Sequence, residues 1–158
     1  MPVRAGQGLS VNRRSLFHRL LAGASGVVAA AAIHPARAAE GAPLKVVYHL
    51  ADFDKVAFVL GNIRHHLDDA GGPDKVTIAL VVHGAALRAF HAGSANLEMS
   101  TRVSEAVLNG VSLHACSHTM KGQNVTLAGL LQGFAIAEKG GVVLIAQLQA
   151  QGYAYIRP

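Results

Sequence analysis

Short runs of apolar residues recur along the chain and predict five β-strands. The runs show little polar alternation, which is typical of strands buried on both faces of a parallel sheet. Glycine, proline or polar residues bound most of them, so each run is too short for a buried helix. The predicted strands are Lys45–Leu50, Val76–Val82, Val111–Ala115, Phe134–Ala137 and Tyr153–Ile156.

Between these runs, the apolar residues return at helical spacing. The first predicted helix carries Val56, Val59, Leu60, Ile63 and Leu67 on one face. Asp52 or Asp54 is expected to cap this helix, and Gly71-Gly72-Pro73 to end it. Further helices are predicted at Ala85–His91, Leu97–Leu108 and Val142–Gln151, and Ser117–Gln132 is predicted as a loop or irregular helix.

The alternation of strands and helices predicts one α/β domain. Its architecture is expected to have three layers, with helices on both faces of a central, mostly parallel five-stranded sheet. Ligands of such sheets bind beyond the carboxyl ends of the strands. That edge is therefore the place to look for chemistry.

Residues 1–38 differ from this pattern and predict a cleavable export signal. They hold five arginines and no acidic residue, and Asn12-Arg13-Arg14-Ser15-Leu16-Phe17 is similar to a twin-arginine motif. An uncharged run from Leu20 to Ile33 follows, and then Ala36-Arg37-Ala38, which offers small residues for cleavage before Ala39. The expected product is a periplasmic domain of residues 39–158. An ordinary secretory signal or a retained N-terminal anchor are the alternatives.

The charge of the chain changes once this segment is set aside. The net charge of +5 comes wholly from residues 1–38, because residues 39–158 hold nine basic and nine acidic residues. A nucleic-acid partner is therefore not expected, nor is membrane association after cleavage. No phosphate-binding loop and no dinucleotide-binding glycine motif occurs, and no cofactor is predicted.

Cys116 is the sharpest candidate for chemistry, because it is the only cysteine and follows the third predicted strand. Ser117, His118 and Thr119 come next and can open a helix, whose free amides would lower the pKa of a thiol. A thiolate at this position can take up sulfane sulfur, attack a disulfide or bind a soft metal. A cysteine that merely packs in the core is the alternative.

Two histidines also stand at predicted strand ends. His49 ends the first strand region and His83 follows the second, so a suitable strand order would bring both close to Cys116. We therefore predict His49, His83, Ser117, His118 and Thr119 as supporting residues of a cysteine site. A copper site is the alternative, with the soft ligand set His83, Cys116, His118 and Met120.

The ordered set of these segments resembles the DsrE/DsrF-like family. The resemblance rests on Lys45–His49, Ile78–Gly84, Gly110–Cys116, Gly140-Gly141-Val142-Val143 and the C-terminal Gly152–Pro158, and it covers residues 44–158. Within it, His118 stands where family members often have asparagine after their cysteine. The twin-arginine segment is a second departure, because the best-known sulfur carriers of the family are cytoplasmic.

The resemblance implies a compact three-layer α/β fold and a homo-oligomer, commonly a trimer or hexamer. It also implies that Cys116 carries sulfur as a persulfide and exchanges it with a donor or acceptor protein, as some family members do. Our sequence-based hypothesis is thus a sulfurtransferase-like carrier. The alternatives are a protein that binds copper or a small ligand, and a non-catalytic oligomeric module.

Overall fold

The computed structural model describes residues 42–158, and the predicted export signal and its cleavage position lie outside these residues. In this described part of the chain, five strands form one sheet, and four α-helices and three short 3₁₀ segments connect them. The strands are β1 (Leu44–Leu50), β2 (Val76–Val82), β3 (Ser112–Cys116), β4 (Phe134–Ala137) and β5 (Ala154–Ile156). The α-helices are α1 (Val56–Ala70), α2 (Leu97–Leu108), α3 (Ser117–Gly122) and α4 (Gly141–Ala150). The 3₁₀ segments are Phe53–Lys55, Gly84–Phe90 and Leu127–Gly129.

The sheet has the strand order β4-β3-β2-β1-β5, and every neighbouring pair is parallel. The predicted α/β architecture is confirmed. The central strands form continuous apolar runs because both faces of the sheet are covered. In β2, for example, every residue except Thr77 is buried.

The two faces of the sheet differ in what covers them. One face carries the larger core, to which α1, α2 and the Gly84–Phe90 segment contribute Ile63, Val103 and Phe90 among others. The other face is smaller, and there Ile145 and Leu148 of α4 pack on the central strands. Three layers result, as the alternation predicted.

Helix termini follow the local sequence at some positions and depart from it at others. Gly71 adopts the left-handed conformation at the end of α1, with φ of +89°, as the glycine pair predicted. The predicted cap of α1 by Asp52 or Asp54 is wrong, because Asp52 makes no capping hydrogen bond, Asp54 lies within a preceding 3₁₀ turn, and Lys55 holds the cap position. Asn96 does cap α2, where its side chain accepts from the Met99 amide at 2.8 Å.

Two segments between the longer elements take regular short forms. Gly84–Phe90 is a 3₁₀ helix, close to the short helix predicted for Ala85–His91. Ser117–Gln132, predicted as a loop or irregular helix, contains α3 directly after Cys116 and a 3₁₀ turn at Leu127–Gly129. Within residues 42–158, no helix is long and apolar enough to cross a lipid bilayer.

Candidate functional site at the carboxyl edge of the sheet

The parallel sheet places the predicted site residues along one edge. His49 pairs in register with Val81 on β2, and Val81 pairs with His114 on β3. Side chains alternate between the faces of a sheet, so Cys116 points to the same face as His114, which is the face that α4 covers. The turn into α4 then closes over the sulfur-bearing residue.

Gly140 and Gly141 bring the backbone of this turn against Cys116. A Cβ atom built on Gly141 would lie 3.4 Å from the Cβ of Cys116 and 3.6 Å from the Cβ of His83. A Cβ atom built on Gly140 would lie 2.9 Å from the His118 ring and 4.0 Å from the Cys116 sulfur. The absence of side chains therefore lets the start of α4 approach the thiol closely.

Hydrogen-bond donors converge on the Cys116 sulfur from two helix starts. Burial raises the pKa of the thiol, but the amides of Gly141, Thr119 and His118, together with the Thr119 hydroxyl, lower it. The net effect is a pKa below the ordinary value, which favours the thiolate. Cys116 is only 6% exposed, so this thiolate-favouring setting is reached by small molecules more readily than by large ones.

Thr119 links the thiol to the neighbouring loop. Its hydroxyl oxygen accepts a hydrogen bond from the Gly84 amide at 3.0 Å, and its hydroxyl proton is free to point at the sulfur. The Gln123 side chain donates to the Gly84 carbonyl at 2.8 Å and so fixes the same loop. The hydroxyl is thus oriented before any reaction begins.

We predict that Thr119→Val raises the pKa of Cys116, because the valine keeps the volume but removes the hydroxyl donor to the sulfur. The pH dependence of iodoacetamide alkylation measures this pKa in the folded protein. Thr119→Ser retains the hydroxyl and serves as the matched control, with a pKa near that of the unaltered protein. An unchanged pH profile in Thr119→Val would show that the hydroxyl does not act on the sulfur.

The other predicted residues take different positions. The Ser117 hydroxyl donates to the Glu138 carbonyl at 2.9 Å and so joins α3 to the loop after β4. The His118 side chain is exposed beside Gly140. Met120 is buried in the larger core with the residues of α1 and β2, away from the α4 face. The Ser117 and Met120 side chains thus stabilise the fold and do not contact the thiol.

The copper ligand set proposed from sequence does not come together in the structure. Met120 packs in the core on the opposite face of the sheet from Cys116. In the chain from residue 42 onward, no group of three or more histidine, cysteine, aspartate or glutamate side chains is arranged to hold a metal ion. The four residues named from sequence therefore form no common coordination site.

His49 and His83 instead contact each other. Their Nε2 atoms are hydrogen-bonded, and the Nδ1 atom of His49 lies 2.6 Å from the Tyr155 hydroxyl oxygen. Desolvation is the largest cause that lowers the pKa of both histidines, and His83 and Arg157 lower that of His49 further. Both rings are thus favoured in the neutral form.

Sequence reasoning missed three features of this edge. From sequence, Tyr155 is indicated only as part of the C-terminal strand, and Gly140-Gly141 only as part of the family resemblance. The ion pair of Arg157 and Asp52, at 3.5 Å, carried no sequence signal because its partners lie at opposite ends of the domain. A glycine pair between a strand and a helix at the carboxyl edge is the one signal that pointed to close backbone approach.

The α/β fold of this chain is DsrE-like, and solved structures share it. MTH1491 from Methanobacterium thermoautotrophicum, a protein of unknown function, is 30% identical with a TM-score of 0.64, over 73% of this chain and 99% of its own. The chain belongs to the same family as MTH1491. No protein-family model and no curated protein matches it.

Two further solved structures share the fold at lower identity. The YchN protein from E. coli is 15% identical with a TM-score of 0.56, over 73% of this chain and 99% of its own. BT1422 from Bacteroides thetaiotaomicron, a conserved protein of unknown function, is 14% identical with a TM-score of 0.55, over 72% and 94%. At these identities the similarity supports the fold alone.

Proposed function

We propose that this protein carries sulfane sulfur as a persulfide on Cys116. The observation that supports the proposal is the convergence of three backbone amides and the Thr119 hydroxyl on one sulfur atom. These donors favour a thiolate, which is the nucleophilic form of cysteine. The negative charge of a persulfide resides mainly on the terminal sulfur, which is one S–S bond, about 2 Å, beyond the atom that these donors contact.

The loading step is a thiolate–sulfur exchange. The Cys116 thiolate attacks the sulfane sulfur of a persulfide or polysulfide donor, a new S–S bond forms on Cys116, and the S–S bond of the donor breaks. The donor leaves as a thiolate or hydrosulfide with the electron pair of the broken bond. No external oxidant is consumed, because the sulfane sulfur was already oxidised in the donor.

The burial of Cys116 sets the size of the donor. With 6% of the residue exposed, an inorganic polysulfide or a small organic persulfide fits better than a folded protein domain. The twin-arginine-like segment supports a periplasmic location for this chemistry. Transfer onward to an acceptor protein, and assembly into a homo-oligomer, are parts of the same proposal.

Polysulfide treatment of the full chain tests the proposal. We expect intact-mass spectrometry to show additions of about 32 Da per sulfur atom, and cyanide to remove the added sulfur. Cys116→Ser should abolish the additions completely, because the chain has no other cysteine. Ser117→Ala is the matched control, since this hydroxyl binds the Glu138 carbonyl rather than the thiol.

Two results would contradict a sulfur carrier. One is sulfur loading of Cys116→Ser that equals the loading of the unaltered protein. The added sulfur would then be attached to another residue, or would not be covalently attached. The other is an absence of loading, under native conditions, in protein whose Cys116 also fails to react with iodoacetamide. That second outcome would indicate a cysteine that only packs in the core.

A further inference from the structure

The histidine pair at the ends of β1 and β2 has a geometry that its position alone does not require. The two Nε2 atoms are in contact while the ring centroids lie 4.6 Å apart, with 24° between the ring planes. The centroid separation is close to the largest value that two imidazoles in contact through Nε2 can have. Each Nε2 must therefore lie near the line that joins the two ring centres. The rings therefore meet nearly head to head rather than face to face.

Tyr155 supports His49 from the other side of its ring. The Tyr155 hydroxyl lies 2.6 Å from Nδ1 of His49, and β5 holds Tyr155 in register with Val47 of β1. Histidines that bind metals usually have their second ring nitrogen hydrogen-bonded in this way, which fixes the tautomer and the ring orientation. When Nδ1 of His49 donates to Tyr155, its Nε2 presents a lone pair to His83.

In the hydrogen bond between the two Nε2 atoms, the proton of His83 lies between the rings. When His83 carries its proton on Nδ1 instead, two lone pairs face each other, and a cation can take the place of the proton. Tetrahedral Zn²⁺ does not suit this pair, because it takes four ligands and no third histidine, cysteine or carboxylate completes a group here among residues 42–158. Cu(I) is a d¹⁰ ion that accepts linear coordination by two ligands, and imidazole is a good copper ligand. The head-to-head direction is the one that linear coordination requires, and the two nitrogens must move apart from their hydrogen bond to admit the ion.

The surroundings of the pair permit a monovalent cation. Arg157 lowers the pKa of both histidines and Asp52 raises it. Because these two residues also pair with each other at 3.5 Å, their charges offset each other beside the histidines. Both histidine side chains are partly exposed, so small rotations can open the space that an ion between the nitrogens occupies.

We propose that Nε2 of His49 and Nε2 of His83 form a two-coordinate Cu(I) site, with Tyr155 as the residue that orients His49. This site contains neither Cys116 nor Met120, and so differs from the ligand set considered from sequence. It does not depend on sulfur transfer, and it can be tested in protein that lacks the thiol.

Competition between the full chain and bicinchoninate for Cu(I), under anaerobic conditions with ascorbate, tests the site. In the Cys116→Ser background, we expect one Cu(I) per chain, and His49→Ala or His83→Ala should weaken binding by more than about 100-fold. Tyr155→Phe should weaken it about 10-fold, in the range of outer-shell substitutions. His65→Ala, which alters an exposed histidine on α1, should leave the affinity unchanged.

X-ray absorption of the Cu(I) form identifies the ligands independently. Two nitrogen scatterers and no sulfur scatterer are expected, both with and without Cys116. His49→Gln and His83→Gln replace the alanine variants if circular dichroism shows that the latter do not fold. The proposal is overturned if Cys116→Ser does not compete for Cu(I), if Cu(I) binding survives both histidine substitutions, or if sulfur ligates the ion.

Discussion

Gly140→Ala is expected to lower the free energy of unfolding by about 1–3 kcal/mol, the usual cost of a side chain in a backbone region reserved for glycine. Gly140 has φ of +95° and ψ of 154°, and it immediately precedes α4. An added Cβ would also lie 2.9 Å from the His118 ring, which is exposed and can rotate away. The backbone strain has no such relief, so the start of α4 must shift.

That shift has a second expected consequence for the thiol. The Gly141 amide is the first of the donors that lower the pKa of Cys116, and it belongs to the displaced turn. The pKa of Cys116 should therefore rise in Gly140→Ala, and alkylation by iodoacetamide at neutral pH should slow. Urea denaturation and the pH profile of alkylation measure the two effects on the same preparation.

Gly61→Ala provides the matched control for this substitution. Gly61 lies within α1, and a Cβ built there meets nothing within 4 Å. Alanine at this helical position should stabilise the protein by about 0.5–1 kcal/mol and leave Cys116 unaffected. Equal stability and equal thiol reactivity in Gly140→Ala and the unaltered protein would disprove the role assigned to the turn.

The sequence carried the fold well because burial on both faces of a parallel sheet leaves a strong signal. Val76–Val82 was predicted as a strand and is one, with Val81 and Val82 fully buried from opposite faces. The helix over Val56–Ala70 was equally clear, since its apolar spacing matches one buried face. In both elements, the apolar residues that define the local pattern are also the residues that the folded domain buries.

The sequence pattern gave a wrong prediction where a side chain could bind either a nearby backbone amide or a residue distant in sequence. Asp52 or Asp54 was expected to cap α1, but the carboxylate of Asp52 pairs with Arg157 at the other end of the domain. A capping motif is local, whereas an ion pair across the sheet edge depends on strand order. The order β4-β3-β2-β1-β5 could not be derived from apolar runs, because every strand looks alike in that pattern.

The dependence on strand order also explains which contacts of the candidate site could be predicted. His49, His83 and Cys116 were expected at one edge if the strand order made their strands neighbours, and His83 and Cys116 do both adjoin Gly141. Tyr155 could not be anticipated beside His49, because β5 returns from the far end of the chain to pair with β1. The sequence therefore predicted the side of the carboxyl edge that holds His83 and Cys116, but not the contact of Tyr155 with His49.

Phe90→Ala is expected to lower the free energy of unfolding by about 3–5 kcal/mol, as is typical for a buried phenylalanine. Phe90 is fully buried, and its ring meets that of Phe134 edge to face at a centroid distance of 5.1 Å. This contact joins the Gly84–Phe90 segment to edge strand β4, and the Phe90 carbonyl also accepts from the Leu131 amide at 2.9 Å. Truncation leaves a cavity where the two meet.

Guanidinium denaturation should show a lower midpoint with an unchanged slope, because the unfolded surface stays the same. The loss is large against the 5–15 kcal/mol by which most domains are stable. Phe58→Ala removes an equal side chain that is 55% exposed on α1, and should change stability by less than about 0.5 kcal/mol. Similar losses in the two variants would mean that the Phe90–Phe134 contact does not hold β4 in place.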